Sequence, residues 1–363
     1  MKRVALVSMP FGTTTRPAIG ISLLKAELER EGVPCDLHYL NLALANRVGI
    51  ERYERICNVN DTLLAEYVFA KGLFGERIPT PEAYASEILV PSSASAATRG
   101  MALAERVEVL SSWVQLLIEH ATQFLDSCMH TIDWGEYALV GFTTTFHQTL
   151  ASIALATRIK QRWPQAVTVF GGANCESEMG QALHRLFPVI DFVCSGEADY
   201  SFPRLARQVV DGAEVEELPG VLRRRNGASQ LPKINGEPVK DMDALPYPNY
   251  DDYVSQRASL LGLNDPPELL VETARGCWWG KKSHCTFCGL NGETMEFRAK
   301  SQARALAEIT ELAQRYGASK IASVDNIIAM DYFTDLLPEL AARKIGLELV
   351  YETKANLRRS QVK

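Results

Sequence analysis

Short apolar runs alternate with stretches of helical spacing at the start of this chain. The run Val4–Met9 is followed by a polar segment at 12–20, and then by Ile21–Glu31, whose apolar residues recur with helical periodicity. Asp36–Leu40 is the next short apolar run. A strand, a helix and a strand in this order predict a parallel sheet with a helical crossover.

The same alternation resumes after residue 134. Six elements follow, namely strands at 138–144, 167–170 and 192–195 and helices at 149–162, 179–186 and 201–211. We therefore predict an α/β fold that begins with a doubly wound, Rossmann-like domain over residues 1–215. Such domains bind ligands at the carboxyl ends of their strands, which here are the loops 10–20, 143–148, 171–176 and 196–200.

Residues 46–134 interrupt this alternation. The stretches 61–71 and 101–128 have helical spacing, and a loop rich in Ser, Ala and Pro at 91–98 separates them. We predict a helical insertion between two strands of the sheet.

A second α/β series follows residue 215. Asn226-Gly227 lies between two short extended runs and predicts a hairpin, after which a proline-rich linker continues to residue 262. Five elements then alternate, namely strands at 269–273, 321–324 and 347–352 and helices at 301–316 and 332–344. Three strands cannot close a barrel, so we expect the domain over 263–363 to be cut short.

Composition narrows the class of protein. The 363 residues carry a formal net charge of −6, which gives no electrostatic reason to expect nucleic-acid binding. No apolar run is long enough to span a membrane, and the first one stops at Pro10, too early for a signal peptide. Eight cysteines without a secretion signal favour a reducing cytoplasm.

Three of these cysteines, Cys277, Cys285 and Cys288, lie in one loop. Three thiolates can hold three irons of a cubane cluster and leave the fourth iron open to a small molecule. A structural zinc site that includes His284 is the alternative. It is disfavoured because His284 directly precedes Cys285, and adjacent side chains rarely reach the same tetrahedral ion.

The loop follows a predicted strand, and Phe287 directly precedes its third cysteine. This resembles the radical S-adenosylmethionine (SAM) enzymes, although their usual spacing C-x3-C-x-aromatic-C is widened here to C-x7-C-x2-C. The chain resembles most the cobalamin-binding radical SAM proteins that mature ribosomal peptides (RiPPs), often described as RiPP maturation C-methyltransferases. The strings that carry this resemblance are Arg275-Gly-Cys-Trp-Trp-Gly, Cys285-Thr-Phe-Cys-Gly-Leu-Asn-Gly-Glu, Val140-Gly-Phe-Thr-Thr-Thr-Phe, Phe170-Gly-Gly-Ala-Asn-Cys-Glu, Ser195-Gly-Glu-Ala-Asp, Val324-Asp-Asn and Tyr351-Glu-Thr-Lys-Ala-Asn.

The resemblance implies that residues 263–363 are the first part of a radical SAM partial (β/α) barrel. The three cysteines would bind a [4Fe–4S] cluster, and SAM would chelate the open iron and be cleaved to a 5′-deoxyadenosyl radical. Phe287 would lie near the adenine of SAM. Asp325 and Asn326 would contact its amino group, and Glu352 and Lys354 would face the same cavity.

The resemblance also implies that the N-terminal domain binds cobalamin. Gly171, Gly172 and Gly196 at strand ends would allow close approach of a flat ligand. The other residues that we place at this site are Thr143, Thr144, His147 and Glu197. His147 is a candidate to approach the cobalt, and the alternative is an ordinary loop histidine. The string Asp36-Leu-His-Tyr-Leu-Asn nearly matches an older cobalamin motif, but we attribute that to chance because it lies inside a strand.

Taken together, the resemblance predicts an enzyme that methylates an unactivated carbon of a precursor peptide, as in bacteriocin biosynthesis. Its partners would be that peptide, which the helical insertion could contact, and an electron donor such as flavodoxin or ferredoxin. One alternative is another radical SAM modification, such as epimerisation or cyclisation. Others are a non-catalytic cobalamin-binding accessory protein and a zinc-stabilised binding module.

Overall fold

A computed structural model of the chain describes residues 2–92, 98–289 and 295–362, which form two sheets and one two-stranded ladder. The larger sheet has the strand order β2-β1-β3-β4-β5-β6-β7. Its strands are β1 (Arg3–Ser8), β2 (Cys35–Tyr39), β3 (Tyr137–Thr143), β4 (Val167–Gly171), β5 (Phe192–Cys194), β6 (Val221–Arg225) and β7 (Ala228–Gln230). The first five strands are parallel, and the hairpin β6–β7 adds to β5 in the antiparallel direction.

Both faces of the parallel strands are buried, which explains why they are short apolar runs in the sequence. Val4 and Leu6 of β1 enter one hydrophobic core, whereas Ala5 and Val7 enter the other. Helices α1 (Ile19–Arg30) and α9 (Ser201–Val210) cover the first face. The second face packs against the helices of the insertion and α7 (Thr149–Arg162). A further helix, α8 (Ser177–Leu186), follows β4.

The insertion between β2 and β3 is helical within the described residues. Its helices are α2 (Leu40–Val48), α3 (Ile50–Cys57), α4 (Leu64–Phe74), α5 (Pro81–Tyr84), which continues as a π-helical turn at Ala85–Leu89, and α6 (Leu103–Thr131). Helix α2 begins directly after β2, earlier than the sequence pattern predicted. Most of the predicted loop at 91–98 lies outside the described residues.

The second sheet contains three parallel strands, β8 (Leu269–Val271), β11 (Lys320–Ser323) and β12 (Glu348–Val350), in the order β12-β11-β8. Helices α11 (Gln302–Tyr316) and α12 (Leu336–Arg343) contribute to its core, and a short helix, α13 (Arg359–Val362), follows. Strands β9 (Ala274–Arg275) and β10 (Arg298–Ala299) pair across the cysteine loop. The loop therefore leaves and re-enters the second α/β series at one ladder.

The segment predicted as hairpin and linker also contains a helix, α10 (Asp251–Leu261). It covers the edge strand β2, where Leu37 N–H donates to Asp252 (3.1 Å) and Tyr39 N–H donates to Gln256 (2.9 Å). Gln256 in turn donates to Leu37 O (2.7 Å). The helix thus satisfies backbone groups that an exposed edge would leave to solvent.

Across the residues that the structure describes, no helix combines the length and apolar character needed to cross a membrane.

Candidate cofactor site

The larger sheet reverses its winding direction between β1 and β3, and a cavity of about 210 Å³ opens there. In doubly wound sheets this reversal point is where ligands bind. We call this space the switch-point cavity. Its walls are mostly apolar and include Leu6, Ile21, Leu24, Phe142, Thr143, Val169, Gly171, Gly172, Gly196 and Phe202. Of the five glycines and threonines placed at this site from the sequence, four therefore line one cavity, namely Thr143, Gly171, Gly172 and Gly196.

Thr144 holds the loops that follow β3 and β4 together. Its hydroxyl donates to Gly171 O (3.0 Å), as does its backbone N–H (2.8 Å). Gly172 has a positive φ of 95°, and a Cβ there would lie 2.6 Å from Thr144 O. Glycine is therefore required at this position by backbone conformation and by the close approach of the β3 loop.

A second cavity, of about 370 Å³, lies between the two sheets, and we call it the inter-sheet cavity. Residues from both parts of the chain line it, including Gly172, Gly196, Glu197, Gly236, Glu272, Arg275, Gly276, Arg298 and Asn326. Gly172, Gly196, Glu272 and Arg275 line both cavities. The space at the switch point of the large sheet therefore adjoins the space beside the cysteine loop.

Arg275 lies at the junction of the two cavities and contacts three carboxylates. It forms hydrogen bonds of 2.9 Å with each oxygen of Glu272, of 2.7 and 3.1 Å with Asp199, and of 2.8 Å with Glu197. Its side chain is 14% exposed. Burial alone would lower the pKa of the guanidinium, but the carboxylates outweigh this and raise it further above its ordinary value.

A second arginine, Arg298, reinforces this contact from the other strand of the ladder. It donates to both oxygens of Glu197 (2.6 and 3.0 Å) and to Val239 O (2.6 Å). Burial would raise the pKa of Glu197, but the hydrogen bond from Arg298 and the charge of Arg275 hold it below its ordinary value. Glu197 is thus an ionised carboxylate that connects the β5 loop to the cysteine loop.

Asp325 and Asn326 follow β11 but face different surroundings. Asp325 is 2% exposed, and it accepts hydrogen bonds from the backbone N–H (2.8 Å) and the hydroxyl of Thr273. Burial raises the pKa of this carboxyl to about 6, against the lowering effect of those hydrogen bonds. Asn326 lines the inter-sheet cavity, whereas Asp325 is not among the lining residues.

The cysteine loop starts with a tight turn. Gly276 has a φ of 77°, and a Cβ there would lie 2.1 Å from Glu296 O, where the returning chain passes. Cys277 Sγ accepts a hydrogen bond from Gly280 N–H (3.3 Å), and Cys288 N–H donates to Cys285 O (3.1 Å).

The three cysteines are half-buried. Among the residues that the structure describes, no three His, Cys, Asp or Glu side chains are gathered as a metal site. Phe287 is 91% exposed. The string that follows Cys288 lies outside the described residues from 290 to 294.

Glu352 and Lys354 do not line the inter-sheet cavity, in contrast to the sequence-based expectation. Glu352 is exposed, and its backbone O accepts a hydrogen bond from Ile328 N–H (2.9 Å). The ammonium of Lys354 lies 3.0 Å from the ring centroid of Trp279, because the face of an indole attracts a cation. Lys354 therefore contacts the cysteine loop from the C-terminal segment.

The position of His147 also differs from the expectation that its ring approaches the cobalt. Its side chain is 6% exposed, lines neither cavity, and forms a hydrogen bond with Asn60 of the insertion (2.8 Å). Burial lowers the pKa of the imidazole, so the ring is neutral at pH 7. His38 lies within β2, where its ring contacts the Tyr137 hydroxyl (3.0 Å).

No sequence pattern marked Arg275, Arg298 or Thr273 as site residues. Arg275 could have been suspected because it directly precedes the Gly276-Cys277 start of the loop. Its partners Glu197 and Asp199 lie 78 and 76 residues earlier, and no local pattern connects them.

The fold is similar to solved structures of two cobalamin-dependent radical SAM enzymes. For OxsB with aqua-cobalamin bound, the TM-score is 0.58 at 14% identity, and the match covers 96% of this chain and 38% of that one. For the methyltransferase TsrM from Kitasatospora setae, with cobalamin and a [4Fe–4S] cluster bound, the TM-score is 0.53 at 13% identity, and the match covers 99% of this chain and 56% of that one. These likenesses confirm the predicted fold class.

In sequence, the chain is similar to an uncharacterized methyltransferase of Pyrococcus horikoshii, with 22% identity over 253 residues. This match covers 66% of the chain and 52% of the relative. No protein-family model matches the chain. The chain therefore spans about half the length of the curated relative and less than two thirds of either solved chain.

Proposed function

We propose that this chain forms the cobalamin-binding and cluster-binding parts of a radical SAM enzyme that transfers methyl groups. The observation that carries the proposal is the shared lining of the two cavities. Gly172, Gly196, Glu272 and Arg275 bring the ligand edge of a doubly wound sheet next to a loop with three cysteines. Methyl transfer between two cofactors needs such adjacency, because reacting groups must be held close together.

The donor atoms of the cysteine loop fit an iron–sulfur cluster. Cys277, Cys285 and Cys288 offer three soft sulfur ligands. The hydrogen bond that Gly280 N–H donates to Cys277 Sγ would stabilise a thiolate. Metal ligands commonly become ordered only when the metal binds. When bound, the cluster would supply one electron for cleavage of SAM, and cobalamin would carry the methyl group.

The large sheet offers a suitable surface for cobalamin. The switch-point cavity is too small for a whole corrin ring but fits a smaller, apolar part of the ligand. We assign Thr143, Gly171, Gly172 and Gly196 to direct contact, since they line that cavity. We assign Thr144 to holding the β3 and β4 loops in register, since it bonds the backbone of the β4 loop and the thiol of Cys175.

We place SAM in the inter-sheet cavity beside Gly276, next to the first cysteine. Asn326 is the polar residue after β11 that faces this space, so we assign it to the SAM amino group. Asp325 would position Thr273 and the start of the loop. Phe287, at 91% exposure, is available to pack against adenine once the loop closes around its metal. Lys354 would steady the loop through Trp279.

For the substrate we propose a ribosomally made precursor peptide, methylated at an unactivated carbon. This rests on the resemblance of the motifs Arg275-Gly-Cys-Trp-Trp-Gly and Cys285-Thr-Phe-Cys-Gly to those of RiPP maturation proteins. The reaction would take place in the cytoplasm, where thiols stay reduced. We propose residues 1–215, 216–262 and 263–363 as the cobalamin domain, the connecting segment and the barrel portion.

For the electron donor we propose a small acidic protein such as flavodoxin or ferredoxin. Between Cys277 and Gly289 the loop carries the exposed lysines Lys281 and Lys282 and no carboxylate, although the whole chain has a net charge of −6. A positive loop on an acidic protein would direct an acidic donor to the cluster rather than elsewhere on the surface.

The test uses the chain reconstituted without oxygen with iron and sulfide, and then supplied with hydroxocobalamin, SAM and a reductant. We expect about four irons and four sulfides per chain, one bound cobalamin, and release of 5′-deoxyadenosine. Cys285→Ala should abolish that release, whereas Cys57→Ala, which changes a cysteine outside the loop, should not. A chain that binds cobalamin but never cleaves SAM would be an accessory protein. Stoichiometric zinc without sulfide would show a structural metal site instead.

A further inference from the structure

Two adjacent residues in the loop after β3 face opposite directions. The ring of His147 is buried and bonded to Asn60, whereas the ring of Phe146 is 79% exposed. Large apolar side chains are usually buried when a core is within reach, and this loop adjoins the well-packed core of the sheet. The exposure of Phe146 therefore calls for an explanation in its backbone.

The backbone of Phe146 adopts a left-handed conformation, with a φ of 52°. This conformation is uncommon and strained for a bulky residue. It is held by Asn174 of the β4 loop, whose side-chain amide donates to Phe146 O (2.9 Å) and to the Thr149 hydroxyl (2.9 Å). Asn174 is itself fixed by its backbone N–H, which donates to Thr144 O (3.2 Å). Interactions from two loops thus maintain a conformation that turns an aromatic ring outward.

The position of Phe146 indicates what the ring meets. It follows Thr143, which lines the switch-point cavity, by three residues, and β3 is one of the two strands between which the winding reverses. This is the edge at which a doubly wound sheet presents its ligand. The exposed ring therefore lies at the ligand edge, and an aromatic ring offers an apolar, flat contact surface.

We propose that Phe146 packs against the flat face of the corrin ring. The proposal rests on the proposed binding of cobalamin and extends it to the residue that meets the macrocycle. A buried, neutral His147 held by Asn60 leaves Phe146 as the residue that this loop presents. The aromatic ring would shield one face of the ligand from water.

The test measures the Kd of hydroxocobalamin for the full chain by absorbance titration. We expect Phe146→Ala to weaken binding by about tenfold, because the aromatic contact and its buried area are lost. Phe146→Gly should weaken binding equally while keeping the Tm at or above that of the parent, since glycine adopts a φ of 52° without strain. Leu186→Ala is the matched control, because Leu186 is also exposed (65%) but lies at the other end of the neighbouring element α8. It should leave the Kd unchanged.

The outcomes separate this proposal from the proposed function. If the parent chain binds no cobalamin, the proposed function fails. If the parent binds and both Phe146 variants bind equally well, the inference about Phe146 is overturned while the function stands. Unchanged cobalamin binding with weakened binding of a substrate peptide would assign the ring to the peptide and also overturn it. His147→Ala provides a further check, because a cobalt-coordinating imidazole would change the absorption spectrum of the bound ligand when removed. We expect no such change.

Discussion

Removing the guanidinium of Arg275 should destabilise the connection between the two sheets. The loss of stability should be larger than that from removing one partner of an exposed ion pair. Arg275 makes five hydrogen bonds to Glu272, Asp199 and Glu197, and all four side chains are at most 21% exposed. Breaking a buried ion pair by removing one partner costs about 3–5 kcal/mol, because the remaining charges stay buried without compensation. Arg298 still contacts Glu197, so we place Arg275→Gln near the lower end of that range.

The measurement is thermal unfolding of Arg275→Gln beside the parent at pH 7.5. A loss of about 3 kcal/mol corresponds to a Tm lower by about 4 °C for a chain of this size. The matched control is Arg55→Gln, because Arg55 pairs with Glu51 on an exposed helical surface where both side chains are over 70% exposed. Its loss should stay below about 1 kcal/mol.

The pH dependence provides a second signature of the same prediction. In the parent the pKa of Glu197 lies below its ordinary value, so its contribution is present above pH 4.5 and is lost only as the pH falls through the lowered pKa. Without Arg275 the buried carboxylates lose their counter-charge and bind protons more readily. The variant should therefore recover part of its stability as the pH falls from 7.5 to 5.5. An Arg275→Gln variant as stable as the parent, with no such recovery, would refute the reasoning.

Three further predictions concern single positions. Gly172→Ala should lower the free energy of unfolding by about 2 kcal/mol more than Gly32→Ala. Both glycines have a positive φ, but of the two only Gly172 has another atom within 4 Å of the added Cβ. Equal losses in urea titrations would contradict this. Glu66→Gln should cost about 1 kcal/mol, because its carboxylate accepts the two backbone N–H groups that begin α7, and Glu76→Gln at the surface serves as its control. The pKa of Asp325 is raised to about 6, so its own contribution to stability is present below pH 4 and is lost as the pH rises through 6. Each unit of raised pKa corresponds to about 1.4 kcal/mol. The difference in stability between Asp325→Asn and the parent should therefore change between pH 4 and 6, and a difference independent of pH would sink the assignment.

The sequence pattern was sufficient to predict most of the larger sheet. Its parallel strands are buried on both faces and therefore stand out as short apolar runs between helices. Helix α10 was missed because it follows the proline-rich segment and was assigned to the linker with it. Its apolar residues Tyr253, Val254, Leu260 and Leu261 do recur at helical spacing and pack on the core, while Asp252 and Gln256 bond the edge of β2.

For the site, local information was predictable and long-range information was not. The spacing of the three cysteines predicts a cluster, and this stays a prediction, whereas Gly171, Gly172 and Gly196, placed at strand ends from the sequence, do line a cavity. Which side chains face the cavities depended on tertiary contacts. His147 bonds Asn60 of the insertion, Lys354 contacts the ring of Trp279, and Asp325 accepts a hydrogen bond from Thr273. Each partner lies far away in the chain, so no motif could reveal it.

We propose that the cysteine loop holds a cluster with one iron open to SAM. Electron paramagnetic resonance of the anaerobically reconstituted, reduced chain tests it most directly, with spectra recorded before and after addition of SAM. We predict the signal of a reduced [4Fe–4S] cluster whose spectrum changes when SAM is added and which is absent in Cys285→Ala. A reconstituted chain without a cluster signal, or with a signal indifferent to SAM, would contradict the account.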